Sequence, residues 1–219
     1  MSGEMPKEQI AMRLCCAMAP ADIGVLRNAP HKLPKEEFTA YTNAVVMLKN
    51  VPMQINDTSR PSIANIRESI RKTQHQYGFV GAVLVDYLQI MKTTKPFARE
   101  DLKIAYFTGE LKAMAKEFNC VIVLLSQLNR ELEKRPNKRP VLSDLRESGA
   151  IEQDADQIIF LYRDEIYNKE SQFRGIAEAI VGKNRHGEAG TAYMHAQLKY
   201  CQFTNLDHDA LNQIQGNLI

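Results

Sequence analysis

The chain lacks any apolar run long enough to cross a membrane, and no secretory signal peptide is recognisable. Its net charge is only +2, so charge over the whole surface does not argue for nucleic acid, and any basic surface must be local. None of its four cysteines forms a CxxC pair, which predicts reduced, mostly buried thiols. Together these absences predict a cytoplasmic protein without a membrane partner.

The 219 residues, 44% of them hydrophobic, suffice for one large domain or two small ones. Early strands separated by helices predict a parallel sheet, and closely spaced late strands predict an antiparallel edge. The fold class is therefore α/β. The predicted helices cover residues 6–17, 34–48, 62–77 and 99–118, and the predicted strands cover 51–56, 82–86, 121–125, 157–162, 175–182 and 191–198.

An apolar run over residues 82–85 ends abruptly in Asp86. A carboxylate at the tip of a buried strand is costly unless it meets a cation or hydrogen-bond donors. The carboxyl ends of parallel strands are where α/β sheets place ligands, and nucleotide-hydrolysing folds use an Asp there to hold Mg²⁺. The alternative is a core strand with an incidental Asp in its turn, and this strand alone leaves the two interpretations equal.

Polar residues also follow the apolar strand over 121–125. Gln127 could sense a phosphate or orient a water, because its amide both donates and accepts hydrogen bonds. The alternative is a common polar turn between strand and helix. Placement at the same sheet edge as Asp86 would favour the functional interpretation.

Two later segments carry local positive charge. Residues 131–140 hold two prolines and several basic residues, which predicts a mobile basic loop. In the following stretch, Arg146 adds charge, and Ser148 and Gly149 could offer backbone N–H groups to phosphates. The alternative is a capped helix with Ser143 as its N-cap, and spacing alone favours that alternative.

A third basic segment, Gly182 to Gly190, has the composition of a hairpin turn between apolar strands. Lys183 and Arg185 are two residues apart, so on a strand they would point to the same side and could reach a phosphate outside their own domain. The alternative is a solvated turn, which would be preferred without the other motifs. His186 fits a turn residue better than a metal ligand, since no second His or Cys lies at ligand spacing.

Five segments occur in a specific order: SGEMPKEQIAMRL, VLVDYLQIM, VIVLLSQLNRELEKRP, SDLRESGAIEQDAD and AIVGKNRHGEAGT. In this order they resemble the C-terminal, RecA-like motor domain of the replicative hexameric DNA helicases of the DnaB type. The resemblance covers residues 2–206 and leaves 207–219 as a polar tail that we expect to fray. It implies a RecA-like core with a mainly parallel sheet, flanking helices and an antiparallel C-terminal edge.

The resemblance implies a role for each nucleotide-site residue. Glu4 matches the catalytic glutamate that polarises the attacking water, and Asp86 matches the Walker B aspartate that positions Mg²⁺. Gln127 matches the glutamine that couples the γ-phosphate of ATP to DNA contacts. Lys183 and Arg185 match the basic pair that reaches a neighbouring subunit's nucleotide. The implied cofactors are ATP and Mg²⁺.

The resemblance also implies contacts with single-stranded DNA. Arg146, Glu147 and Gly149 lie in the loop with which the family grips the sugar-phosphate backbone. The basic loop from Arg130 to Arg139 would face the central channel of the ring. The implied activity is ATP-driven translocation on single-stranded DNA and unwinding at the replication fork, with primase, a helicase loader and further copies of the chain as partners.

The chain also departs from the family pattern. The P-loop, GxxxxGK[ST], is absent, and so are the first strand of the core sheet and most of the second. Gly3 stands where the family has a large apolar residue, and His186 and Glu188-Ala189 replace the usual Asn and Pro-Thr.

We therefore expect the isolated chain, as a fragment of a helicase, to bind ATP weakly or not at all and to expose apolar surface that invites an unusual oligomer. A shortened protein that docks on or inhibits a helicase ring is the alternative function. A RecA-like recombinase is the rival enzyme, disfavoured by the DYLQ and SDLRESG segments.

Overall fold

The computed structural model describes residues 1–145, 149–207 and 214, and these fall into two compact units. Unit 1 comprises residues 1–10, 52–134 and 141–156; unit 2 comprises residues 11–51, 135–140 and 157–219. The helices are α1 (Lys7–Met18), α2 (Ile23–Asn28), α3 (Lys35–Lys49), α4 (Ile63–Tyr77), α5 (Glu100–Glu117) and α6 (Gly149–Asp154). The strands are β1 (Ala82–Val85), β2 (Val121–Leu124), β3 (Gln157–Tyr162), β4 (Ile176–Asn184), β5 (Gly190–Gln197) and β6 (Gln202–Asn205).

Unit 1 is built on a parallel sheet. Strands β1 and β2 pair in parallel, with Ala82 opposite Val121 and Val85 opposite Leu124. Residues 1–3 lie along the other side of β1: the Asp86 N–H donates to the Met1 carbonyl at 3.0 Å, and the Gly3 N–H donates to the Asp86 carbonyl at 2.9 Å. The three segments therefore end at one edge of the sheet.

Helices α4 and α5 each bury an apolar stripe in unit 1. Helix α4 buries Ile63, Ile66 and Ile70, and α5 buries a stripe that includes Phe107 and Met114. The sheet is less well covered, because Leu84 and Val121 remain 57% and 61% exposed. The expectation of exposed apolar surface is confirmed for the described residues, and the unusual oligomer stays a prediction.

Unit 2 contains the antiparallel sheet, in the order β3-β4-β5-β6. Along β3, Ile158, Phe160 and Tyr162 are buried while the intervening residues are exposed, which is the period-two pattern of a sheet with one face on a core. A second cluster in this unit packs Cys15 against Ala19 and Ala44. All four cysteines are free thiols, two buried and two partly exposed.

The sequence predicted the α/β class, the long helices and the main strands correctly, but two predictions of local structure were wrong and two elements were missed. Residues 51–56 form no strand: one backbone hydrogen bond, from the Ser2 N–H to the Asn56 carbonyl, is not a ladder. Helix α2 and strand β6 were not predicted. Ser143 lies within a short 3-10 turn, Leu142–Asp144, instead of capping a helix.

No helix among the described residues is both long and apolar enough to span a lipid bilayer.

Candidate active site

Three polar residues predicted from the sequence meet at the carboxyl edge of the parallel sheet. Glu4 follows residues 1–3, Asp86 follows β1, and Gln127 follows β2. The strands hold this alignment, because the Gly3 N–H donates to the Asp86 carbonyl at 2.9 Å and the Leu125 N–H donates to the Val85 carbonyl at 2.9 Å. Glu4 and Gln127 are exposed and Asp86 is half-buried, so the edge presents two carboxylates and an amide to solvent.

Tyr87, which the sequence did not single out, connects the members of this site. Its side chain lies near enough to the Glu4 carboxylate and to the Gln127 side chain to interact with both. Burial first, and then the Glu4 carboxylate, raise the pKa of Tyr87 above its ordinary value. The phenol therefore stays protonated at neutral pH and can donate its proton to Glu4. The peptide bond between Asp86 and Tyr87 is cis.

Gln89 is a second residue that sequence reasoning missed. It lies in a 3-10 turn, Leu88–Ile90, directly after β1. Its side chain reaches the end of β2, where its Oε1 accepts from the Gln127 N–H at 3.2 Å and its Nε2 donates to the Ser126 Oγ at 2.9 Å. Only its place in the DYLQ segment could have drawn attention to it.

The strand-edge carboxylates suit Mg²⁺ in a nucleotide site. Mg²⁺ prefers oxygen ligands, keeps several waters and takes one or two carboxylates together with substrate phosphates. Asp86, half-buried at a strand end, fits that role. The described residues contain no group of three His, Cys, Asp or Glu side chains arranged to hold a metal by protein ligands alone. The 219 residues also contain no GxxxxGK[ST] sequence to cradle phosphates.

The basic pair of unit 2 lies at the β4–β5 hairpin. Lys183 is half-buried near the end of β4, opposite Ile158, while Arg185 is exposed in the turn. Asn184 organises this turn: its Oδ1 accepts from the His186 N–H at 3.4 Å, and its Nδ2 donates to the Glu188 carbonyl at 3.3 Å. A Cβ on Gly187 would come within 2.6 Å of the Asn184 Nδ2, so a larger residue there would displace the Asn184 side chain.

The residues expected to contact DNA are only partly described. Arg146 and Glu147 lie outside the described residues. Gly149 is exposed at the first position of α6, and a cavity of about 660 Å³ lies beside it, lined also by residues at the start of α5. Arg130 is exposed at the start of a 3-10 turn that ends at Lys134.

The basic segment 135–140 is bonded to strand β4. The Arg139 guanidinium donates two hydrogen bonds of 2.9 Å to the Glu178 carboxylate, whose side chain is only 6% exposed. The Arg135 guanidinium donates to the Arg139 carbonyl at 2.9 Å. A bidentate ion pair with a buried carboxylate holds this segment to β4, and the mobility expected for residues 131–140 stays a prediction.

A parallel sheet, a separate antiparallel sheet and packed helices are consistent with the α/β class of RecA-like ATPase domains. The comparisons with known proteins agree. The family model of the DnaB-like helicase C terminal domain matches residues 1–205, and the chain belongs to that family.

Curated relatives support this membership. The chain is 42% identical over 206 residues to the "Replicative DNA helicase DnaB" of Haemophilus influenzae, a match that covers 94% of this chain and 44% of that protein. It is 37% identical over 207 residues to the protein of the same name from Geobacillus stearothermophilus, covering 94% of this chain and 45% of the relative. The chain thus spans less than half the length of these relatives.

Two solved structures share the fold. One, described as an ATPase domain, matches with a TM-score of 0.89 and 36% identity, over 94% of this chain and 73% of the other. A "DnaB-Like Replicative Helicase", described with its interactions with primase, matches with the same TM-score and identity, over 94% of this chain and 49% of the other.

Proposed function

We propose that this chain forms part of the ATP-driven motor of a replicative DNA helicase, acting in the cytoplasm within a hexameric ring that translocates on single-stranded DNA. The observation that carries the proposal is the meeting of Glu4, Asp86 and Gln127 at the ends of neighbouring parallel strands. The names of the curated relatives support the same function.

Each residue of the strand edge has a distinct task in this proposal. Glu4 accepts a hydrogen bond from the attacking water and polarises it, with Tyr87 holding the carboxylate in place. Asp86 holds Mg²⁺, which neutralises charge on the phosphates. Gln127 senses the γ-phosphate and transmits its presence toward the DNA contacts.

The phosphate cradle must come from residues other than these 219, because the sequence contains no P-loop motif. We therefore propose that the isolated polypeptide is inactive and that the complete motor contains a P-loop beside Asp86. The pair Lys183 and Arg185 would supply positive charge to a neighbouring subunit's nucleotide, so hydrolysis would depend on ring assembly.

The proposed DNA contacts are Arg130, Arg146, Glu147 and Gly149. Phosphate contacts dominate binding of this kind, so affinity should fall with salt and depend little on base sequence. Primase and a helicase loader are further proposed partners; the name of one structural neighbour mentions primase.

The test is a chimera in which this chain replaces the matched 206 residues of the Haemophilus influenzae helicase. Arg185→Ala should lower ATP turnover by about 10³-fold or more while nucleotide binding is largely retained, because the arginine acts on the transition state. His186→Ala, in the same exposed turn, is the matched control and should keep turnover. Full turnover in the Arg185→Ala ring would contradict the proposed role of the arginine.

A further inference from the structure

The side-chain amide of Gln89 holds the end of β2 at three points. Its Oε1 accepts from the Gln127 N–H at 3.2 Å. Its Nε2 donates to the Ser126 Oγ at 2.9 Å and lies 3.4 Å from the Gln127 carbonyl. One side chain thus contacts both the N–H and the carbonyl of the residue proposed to sense the γ-phosphate.

These contacts restrain the backbone of Gln127, whereas Tyr87 interacts with its side chain. The Gln127 side chain is exposed, so packing does not select its direction. A side chain leaves the backbone in a direction set by the Cα geometry, and hydrogen bonds to the flanking peptide groups restrict that geometry. Contacts from Gln89 on both sides of the Gln127 Cα therefore aim the sensing amide.

The backbone on both sides of Gln89 is held by burial and by hydrogen bonds. Leu88 is 1% exposed, and its N–H donates to the Leu125 carbonyl at 2.9 Å. The Met91 N–H closes the 3-10 turn on the Leu88 carbonyl at 3.1 Å. Because only Tyr87 separates Asp86 from this turn, the Gln89 amide fixes the end of β2 relative to the end of β1.

We propose that Gln89 is a positioning residue that fixes Gln127 relative to Asp86 and Glu4, so that γ-phosphate sensing is coupled to DNA. The inference rests on the proposed function, in which Gln127 makes that coupling. Gln89 touches neither phosphate nor DNA in this scheme; it acts through the backbone of Gln127.

The first test measures hydrogen exchange of the Gln127 amide by NMR in the 219-residue chain. In Gln89→Ala this amide should exchange roughly fivefold faster, the fold-change that corresponds to about 1 kcal/mol for one lost hydrogen bond. Gln89→Glu keeps an acceptor oxygen and should keep the protection. Gln54→Ala, which removes an exposed amide bonded to Thr73 and Gln76, is the matched control and should leave exchange unchanged. Unaltered exchange in Gln89→Ala would overturn the proposal.

The second test measures stimulation of ATP hydrolysis by single-stranded DNA in the chimera. Gln89→Ala and Gln127→Ala should each lower the stimulation while leaving the KM for ATP unchanged. The double variant should show the same stimulation as Gln127→Ala alone, because both substitutions disable the same function. If Gln89→Ala keeps full stimulation while Gln127→Ala loses it, the positioning role is wrong and the proposed function stands. If Gln127→Ala keeps full stimulation, the sensing role in the proposed function is itself wrong.

Discussion

Asp164, in unit 2, has a carboxylate surrounded by hydrogen-bond donors. The Ser171 hydroxyl is the largest cause that lowers the pKa of Asp164, and the Tyr162 hydroxyl, which donates at 2.8 Å, adds to it. These donors favour the ionised form over the protonated form. Stability and pH are therefore linked at this residue.

The pKa of the Asp164 carboxyl is lower in the folded chain than in the unfolded chain. Its ionised form therefore stabilises the fold at pH values above the unfolded-state pKa, and this stabilisation is lost as the pH falls through the folded-state pKa. An Asp carboxyl ordinarily titrates near about pH 4. We therefore expect the melting temperature to decrease when the pH is lowered below about 4. Ser171→Ala should weaken this acid dependence, because the pKa of Asp164 moves back toward its ordinary value. The measurement is melting temperature from neutral to acidic pH.

Thr191→Ala, on the exposed start of β5, is the control and should follow the acid dependence of the unaltered chain. The melting temperatures of Ser171→Ala and of the unaltered chain could instead differ by the same amount at every pH. That result would refute the link between the pKa of Asp164 and stability.

For single residues, the local sequence pattern could indicate only those that differ clearly from their neighbours in the chain. Asp86 ends an apolar run and could be singled out from the pattern, whereas Lys183 and Arg185 received a role only from the resemblance. The part played by Gln89 depends on hydrogen bonds to a strand 37 residues away, which only the parallel pairing of β1 and β2 creates. No local pattern could have indicated those bonds.

Helix α4 shows what local signals contribute at the scale of an element. Its N-terminus carries a capping box, in which the Asn65 N–H donates to the Ser62 Oγ at 3.2 Å and the Ser62 N–H donates to the Asn65 Oδ1 at 3.0 Å. Its C-terminus is Gly78 with φ of 84°, a left-handed conformation that favours glycine. Both ends were predicted correctly because caps are local.

Ser62→Ala should lower the free energy of unfolding by about 1 kcal/mol, the usual loss for an N-cap side chain. Urea unfolding followed by circular dichroism would measure it. Ser59→Ala, at an exposed residue a few positions earlier, should leave the unfolding free energy unchanged. Equal unfolding free energies for Ser62→Ala and the unaltered chain would show that the box contributes nothing.

For residues 51–56 and 135–140 the outcome depends on tertiary structure. Residues 51–56 have the composition of a strand, yet they form no ladder with a neighbouring strand. The segment 135–140 has the composition of a mobile loop, yet Glu178 on β4 supplies a buried partner for Arg139. In both cases the structure of the segment depends on whether residues distant in sequence pair with it.

At the scale of the whole molecule, the described residues form two compact units, and the proposed residues are shared between them. Glu4, Asp86 and Gln127 belong to unit 1, and Lys183 and Arg185 belong to unit 2. The chain spans 44% of the length of its Haemophilus influenzae relative.

The isolated 219-residue polypeptide should bind a non-hydrolysable ATP analogue weakly or not at all, since most phosphate-binding energy comes from the P-loop. Isothermal titration calorimetry with Mg²⁺ present would measure it, with the chimera as the positive control. Tight binding by the isolated polypeptide would mean that it holds nucleotide in another way, and the assignment of Asp86 would need to be rebuilt.

The central claim is that the edge of the parallel sheet is a catalytic site, and the rate of ATP hydrolysis by the chimera with Glu4→Gln tests it most directly. The substitution keeps the size of the side chain but removes the carboxylate that polarises water. We predict that Glu4→Gln retains ATP binding and loses turnover by about 10²-fold or more, whereas Glu8→Gln, at an exposed carboxylate in the first turn of α1, keeps full turnover. Unchanged turnover in the Glu4→Gln chimera would contradict the account.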